Sequence, residues 1–118
     1  MNIIRPVLIL ILALASISLA EAHAFLDHAD PRVGSAVNPA PARVKVWMTE
    51  ELEGAFSKLQ VFDAKGVEVD KKDVKVSGAT MTVSVPVLAP GTYKVTWKAV
   101  AVDTHHTTGT FTFAVTSP

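Results

Sequence analysis

Beyond residue 22 the sequence alternates, and that pattern restricts it to one class of fold. Over residues 43–49, Val44, Val46 and Met48 fall on one side, with Arg43, Lys45 and Trp47 on the other. Over residues 79–87, Met81, Val83, Val85 and Val87 oppose Thr80, Thr82 and Ser84. Tyr93, Val95, Trp97, Ala99 and Ala101 oppose Lys94, Thr96 and Lys98 in residues 93–102; Phe111, Phe113 and Val115 share a side in residues 110–116. A period of two marks a strand with one face buried and one face wet. No stretch after residue 22 sustains the period of a helix.

Residues 23–30, 57–63, 67–69 and 74–76 add shorter strand candidates, separated by turn signals. Pro31, Gly34, Ser35, Asn38, Pro39 and Pro41 make residues 31–41 a loop. Asp63 to Gly66 reads as a tight reversal, and residues 50–54 and 70–73 as solvated turns. About seven short strands with regular turns predict an all-β fold. The expected form is a seven-stranded antiparallel Greek-key β-sandwich of the immunoglobulin-like or cupredoxin-like kind.

The chain contains no cysteine, so packing alone must hold such a domain, and thiolate chemistry is excluded. Trp97 suits a central core position. Tyr93 follows Pro90 and Gly91 at the start of a late strand, the placement of a tyrosine corner, in which the phenol bonds backbone across a turn.

The first 22 residues read differently. Arg5 precedes an apolar run from Val7 to Ala20, and Ala20, Glu21 and Ala22 form an A-x-A site. The run is shorter than the ~20 residues that span a bilayer. We therefore expect residues 1–22 to be a cleaved secretory signal and residues 23–118 to form one exported domain, with no membrane insertion after cleavage. A cut after Ala22 makes His23 the mature N-terminus. The formal net charge is +0, which gives no electrostatic reason to expect nucleic acid as a partner.

The four histidines fall into two groups, His23 with His28 and His105 with His106. An N-terminal histidine offers a metal its amine and its ring. If residues 102–106 continue the strand, Asp103 and His105 share its inward face, partly shielded at the rim of the core, and His106 takes the other. His23 reaches them if the first strand starts at the same end. Amine, imidazole and carboxylate donors suit Cu(II) first and Zn(II) second. Free amines and imidazoles titrate at about 7.7–8.0 and 6.5, so protons compete with the metal and affinity should fall as pH drops. The D-x-H spacing alone also fits an Asp that caps a turn beside exposed histidines. His28 reads as a surface residue, and Met48 and Met81 are too far apart in sequence for a copper(I) thioether cluster.

Several stretches together resemble the CopC family of periplasmic copper-binding proteins: His23 to Leu26 with Pro31 and Gly34, Thr49 with Glu50, Pro90 to Trp97, and Asp103 to His105 leading to Gly109 through Phe113. The resemblance spans the expected mature chain. It implies a Greek-key sandwich that binds Cu(II) through the amine and ring of His23 with Asp103 and His105. It also implies a non-enzymatic carrier that passes copper to an inner-membrane transporter; separately, we expect a monomer. His106 stands where the family commonly has proline, and no methionine-rich segment is present. Two other classes compete. One is a histidine-brace copper oxidoreductase, for which the chain has few aromatics to build a substrate face. The other is a metal-free accessory module.

Overall fold

In the computed structural model, which describes residues 24–117, the alternating side chains of the longest strands supply the centre of the core. Eight strands form: β1 (Leu26–Asp30), β2 (Ala36–Val37), β3 (Arg43–Met48), β4 (Lys58–Phe62), β5 (Lys75–Ser77), β6 (Thr80–Ser84), β7 (Gly91–Val100) and β8 (His106–Val115). One sheet has the order β1-β3-β6-β5 and the other β2-β8-β7-β4. Each turns its apolar face toward the other, giving an all-β sandwich. Val44, Val46, Met81 and Val83 meet Leu59, Val61, Val95 and Phe113 in one buried cluster.

β7 and β8 pair antiparallel without interruption from Gly91↔Val115 to Val100↔His106. Tyr93, Val95, Trp97, Ala99 and Ala101 are all buried, as their period requires. The Tyr93 hydroxyl donates to the carbonyl of Ala89 at 2.6 Å, forming the expected corner, and its ring stacks on Phe113 at 5.6 Å. Trp97 lies across from Gly109 in the ladder. A Cβ at position 109 would come within 2.3 Å of Trp97 Cζ2, so glycine there makes room for the indole.

The strand count is eight rather than seven, because β2 forms inside the expected loop. Its bonds to β8 run parallel, Ala36↔Ala114 and Val37↔Val115, so the sandwich is not wholly antiparallel. Turn residues hid this pair, which is too short to show a period. Residues 67–69 make only a bridge, Phe62↔Glu68. The Asp63 carboxylate accepts the N–H groups of Lys65 and Val67 and consumes the start of that stretch in the turn. Residues 79–87 stop as a strand at Ser84. Pro86 has no N–H for the ladder, and Val87 is 98% exposed instead of facing the core.

The charged stretch 70–73 is not entirely solvated either. Asp70 is buried, and its carboxylate accepts the Val61 and Lys72 N–H groups at 2.9 and 3.0 Å, satisfying an edge of β4 with a side chain. Asp73 remains at the surface, where hydrogen bonds from the side chain and backbone of Ser84 hold its carboxyl below the ordinary value.

Gly109→Ala should lower stability by about 1–3 kcal/mol, the usual cost of overpacking, because the new methyl meets the indole. Thermal denaturation checks it. An unchanged melting temperature would mean that Trp97 moves aside freely.

Candidate metal centre

Between β7 and β8 the chain turns through residues 101–105. The Thr104 N–H donates to the Ala101 carbonyl at 2.8 Å, and the Ala101 N–H to the His105 carbonyl at 3.1 Å. Asp103 closes the turn, its Oδ1 accepting the His105 N–H at 3.1 Å. Its Oδ2 stands 3.1 Å from His105 Nδ1. Asp103 and His105 are thus brought together by a side-chain-capped turn and not by strand alternation, which ends at Val100. Thr104 between them adopts φ +72°, a left-handed backbone that is uncommon for a β-branched residue.

The pair is more open than the strand argument implied: the side chains of Asp103 and His105 are 41% and 60% exposed. His106 begins β8 opposite Val100 and is exposed. Leu52, buried in the core, bridges to Ala101. The flanking Glu53 N–H donates to Val100 O at 2.7 Å, and the Val102 N–H to Glu51 O at 3.3 Å. Glu50, Glu51 and Glu53 are exposed as expected, yet they lie along the metal-candidate turn. Residues 49–57 and 99–107 contain no lysine or arginine, and the nearest along the chain are Lys58 and Lys98, which face each other across β4 and β7.

The first described residue arrives at the same end. Ala24 is fully buried in the core, and its carbonyl accepts a hydrogen bond from the Thr107 hydroxyl at the start of β8. Phe25 is held from the opposite sheet: its N–H donates to Thr49 Oγ1 at 2.9 Å, and its carbonyl accepts the Thr49 N–H at 2.8 Å. His23 itself lies outside the described residues, as does the expected signal, residues 1–22.

Alternation did not reveal these two threonines. The available sign was Thr107, a hydroxyl on the inward side of a strand whose later members, Phe111, Phe113 and Val115, are apolar.

His28 occupies a different place. A bulge between Leu26 and His28 breaks the register of β1 with β3, so strand parity cannot be counted across it. The His28 ring stacks on Trp47 with centroids 4.3 Å apart, and Nδ1 lies 2.6 Å from Asp27 Oδ2. It is a surface residue of the outer sheet face.

Asp103 and His105 supply one oxygen and one nitrogen facing each other, a chemically suitable half of a borderline-metal site. Among the described residues no group of three or more such donors converges.

Comparison with known proteins places this geometry in a family. The sequence pattern of the CopC domain matches residues 26–116. The chain belongs to the CopC family. A relative named copper resistance protein C, from Pseudomonas syringae pv. tomato, is 40% identical over 107 residues, covering 83% of this chain and 84% of the relative. The crystal structure of CopC from Methylosinus trichosporium OB3b superposes with a TM-score of 0.75 at 29% identity, over 80% of this chain and 94% of that one. That of PcoC from Escherichia coli, described as a methionine-rich copper resistance protein, gives 0.70 at 33% identity, over 80% and 99%. In the present CopC-family chain, Met48 and Met81 are both core residues, 5% and 0% exposed. Neither offers sulfur at the surface. Among the described residues no helix is long and apolar enough to cross a membrane.

Asn tolerates the left-handed region better than Thr. Thr104→Asn should therefore raise stability by a sizeable part of the roughly 1–2 kcal/mol that this backbone costs an L-residue. Urea denaturation measures it; a loss would show that the Thr104 side chain contributes more than its backbone costs.

Proposed function

We propose that the mature protein is a periplasmic copper carrier or buffer that holds Cu(II) without catalysis. Its ligands are the amine and ring of His23, the carboxylate of Asp103 and the imidazole of His105. The observation that carries this reading is the bond from Thr107 to the Ala24 carbonyl. Consecutive Cα atoms are about 3.8 Å apart, so residue 23 is one such step from a residue fixed beside β8. Thr107 is in turn two residues from His105. That connection supports a reading in which all three residues serve one ion.

The donor set supports copper over harder cations: three nitrogens with one carboxylate suit Cu(II), which also heads the divalent affinity order. With Met48 and Met81 buried, they offer no thioether site for Cu(I). Membership in the CopC family and the copper resistance named for its relatives support the same reading. Copper is cargo here. The site lies at the surface, as capture and release require, and the acidic segment Glu50 to Glu53 beside it draws cations in. Cleavage after Ala22 creates the amine, so export and competence to bind are linked. The family resemblance extends the reading to an inner-membrane transporter as recipient, and the carrier is read as a monomer.

The test uses the exported protein with its N-terminus verified by mass and a second form that carries one extra residue before His23. The extension turns the amine into a peptide nitrogen. Cu(II) affinity, measured by competition against a chelator, should fall by at least tenfold. Equal affinity in the two forms would remove the amine from the ligand set.

A further inference from the structure

Resting on that copper-binding reading, we propose that Thr107 and Thr49 form a two-sided clamp that positions the amino-terminal chelate before any metal arrives. The clamp grips the two residues that follow His23. Thr107, on β8, takes the Ala24 carbonyl. Thr49, just past β3 in the other sheet, takes both the N–H and the carbonyl of Phe25. Between these grips the Ala24 side chain is sunk in the core, with no exposed surface. Two sheets therefore hold one short segment through three hydrogen bonds and a buried methyl, and β1 begins only at Leu26.

Chain ends usually fray unless something ties them down. A ligand on a frayed end must be ordered when metal binds, which weakens the apparent affinity; a ligand on a fixed end has already met that cost. Thr107 is the more informative member because it is not needed to continue the β1–β3 ladder. It lies two residues from His105, so one short segment of β8 and its preceding turn carries both a donor and the anchor for the opposing donors. None of the three bonds uses residue 23 or anything upstream. The clamp can therefore close before processing, leaving cleavage to free the amine at a place already prepared. Thr107 is a positioning residue: it bonds a backbone carbonyl, while the metal is left to His23, Asp103 and His105.

The experiment is a double-mutant cycle on the mature protein, read by Cu(II) competition and by the electron paramagnetic resonance spectrum. Thr107→Val keeps the shape and removes the hydroxyl; Thr107→Ser keeps the hydroxyl. In the parent protein, Thr107→Val should weaken Cu(II) binding by roughly three- to tenfold, the scale of one net hydrogen bond. It should also alter the copper spectrum, and Thr107→Ser should restore both. In a His23→Ala background whose N-terminal amine is also blocked by one extra preceding residue, Thr107→Val should change affinity by less than twofold, because neither amino-terminal donor remains to be positioned; coupling of this kind distinguishes positioning from general destabilisation.

An equal loss in both backgrounds would overturn the clamp, since Thr107 would then act through the Asp103–His105 turn or through overall stability. Unchanged affinity for Thr107→Val, when His23→Ala alone is severely impaired, would also overturn it. Unchanged affinity for His23→Ala would instead reject the ligand reading, and the clamp's role with it.

Discussion

The β7–β8 ladder is the constraint on which the rest of this domain depends. Its register runs unbroken from Gly91↔Val115 to Val100↔His106 and fixes two things together. On the inward side it aligns Tyr93 with Phe113, Val95 with Phe111 and Trp97 with Gly109, forming much of the core. At its far end it leaves the chain only residues 101–105 in which to reverse, and the reversal carries Asp103 and His105. A one-residue slip would turn every core side chain of β8 outward, and would also meet the Trp97 indole with a Cβ where Gly109 has none. Core packing and site geometry are thus set by the same pairing.

The second dependence is on how the N-terminal segment joins the sandwich. In a cysteine-free domain no disulfide ties the sheets, so the contacts between them are side-chain packing and a few hydrogen bonds. Ala24 and Phe25 belong to that seam, bonded to Thr107 from one sheet and to Thr49 from the other. The chain therefore enters the fold at the end where the β7–β8 turn projects. That convergence is the physical support for the copper site proposed here: donors drawn from both ends of the sequence would need a rigid body between them, and the sandwich provides one.

Much of the architecture was legible because period two is a direct consequence of burying one face of a sheet. The inward sets of β3, β6, β7 and β8 could be read residue by residue, and the Tyr93 corner followed from its place after Pro90 and Gly91. The pattern failed where backbone bonds go to side chains or to an edge. β2 is two residues long and leaves no period. Asp70 substitutes a carboxylate for a neighbouring strand, which no alternation encodes. At the site, the D-x-H spacing correctly paired Asp103 with His105, but for a different reason from the one first apparent. Parity assumes extended chain, whereas these residues occupy a turn closed by the Asp103 side chain. The exposure of the pair follows from that difference. The threonines at 49 and 107 gave little sign, because an inward hydroxyl shows its meaning only when its acceptor, 83 residues away in the case of Thr107, is known.

The central claim is that one copper ion is held between the processed N-terminus and the β7–β8 turn. It is tested most directly by adding less than one equivalent of Cu(II) to ¹⁵N-labelled mature protein and recording which amide signals the paramagnetic ion broadens. The account predicts that Ala24, Asp103, His105 and Thr107 broaden first, while Val61 on β4 and the 63–66 turn stay sharp. Broadening centred on His28 and Trp47, or spread evenly over the domain, would contradict it.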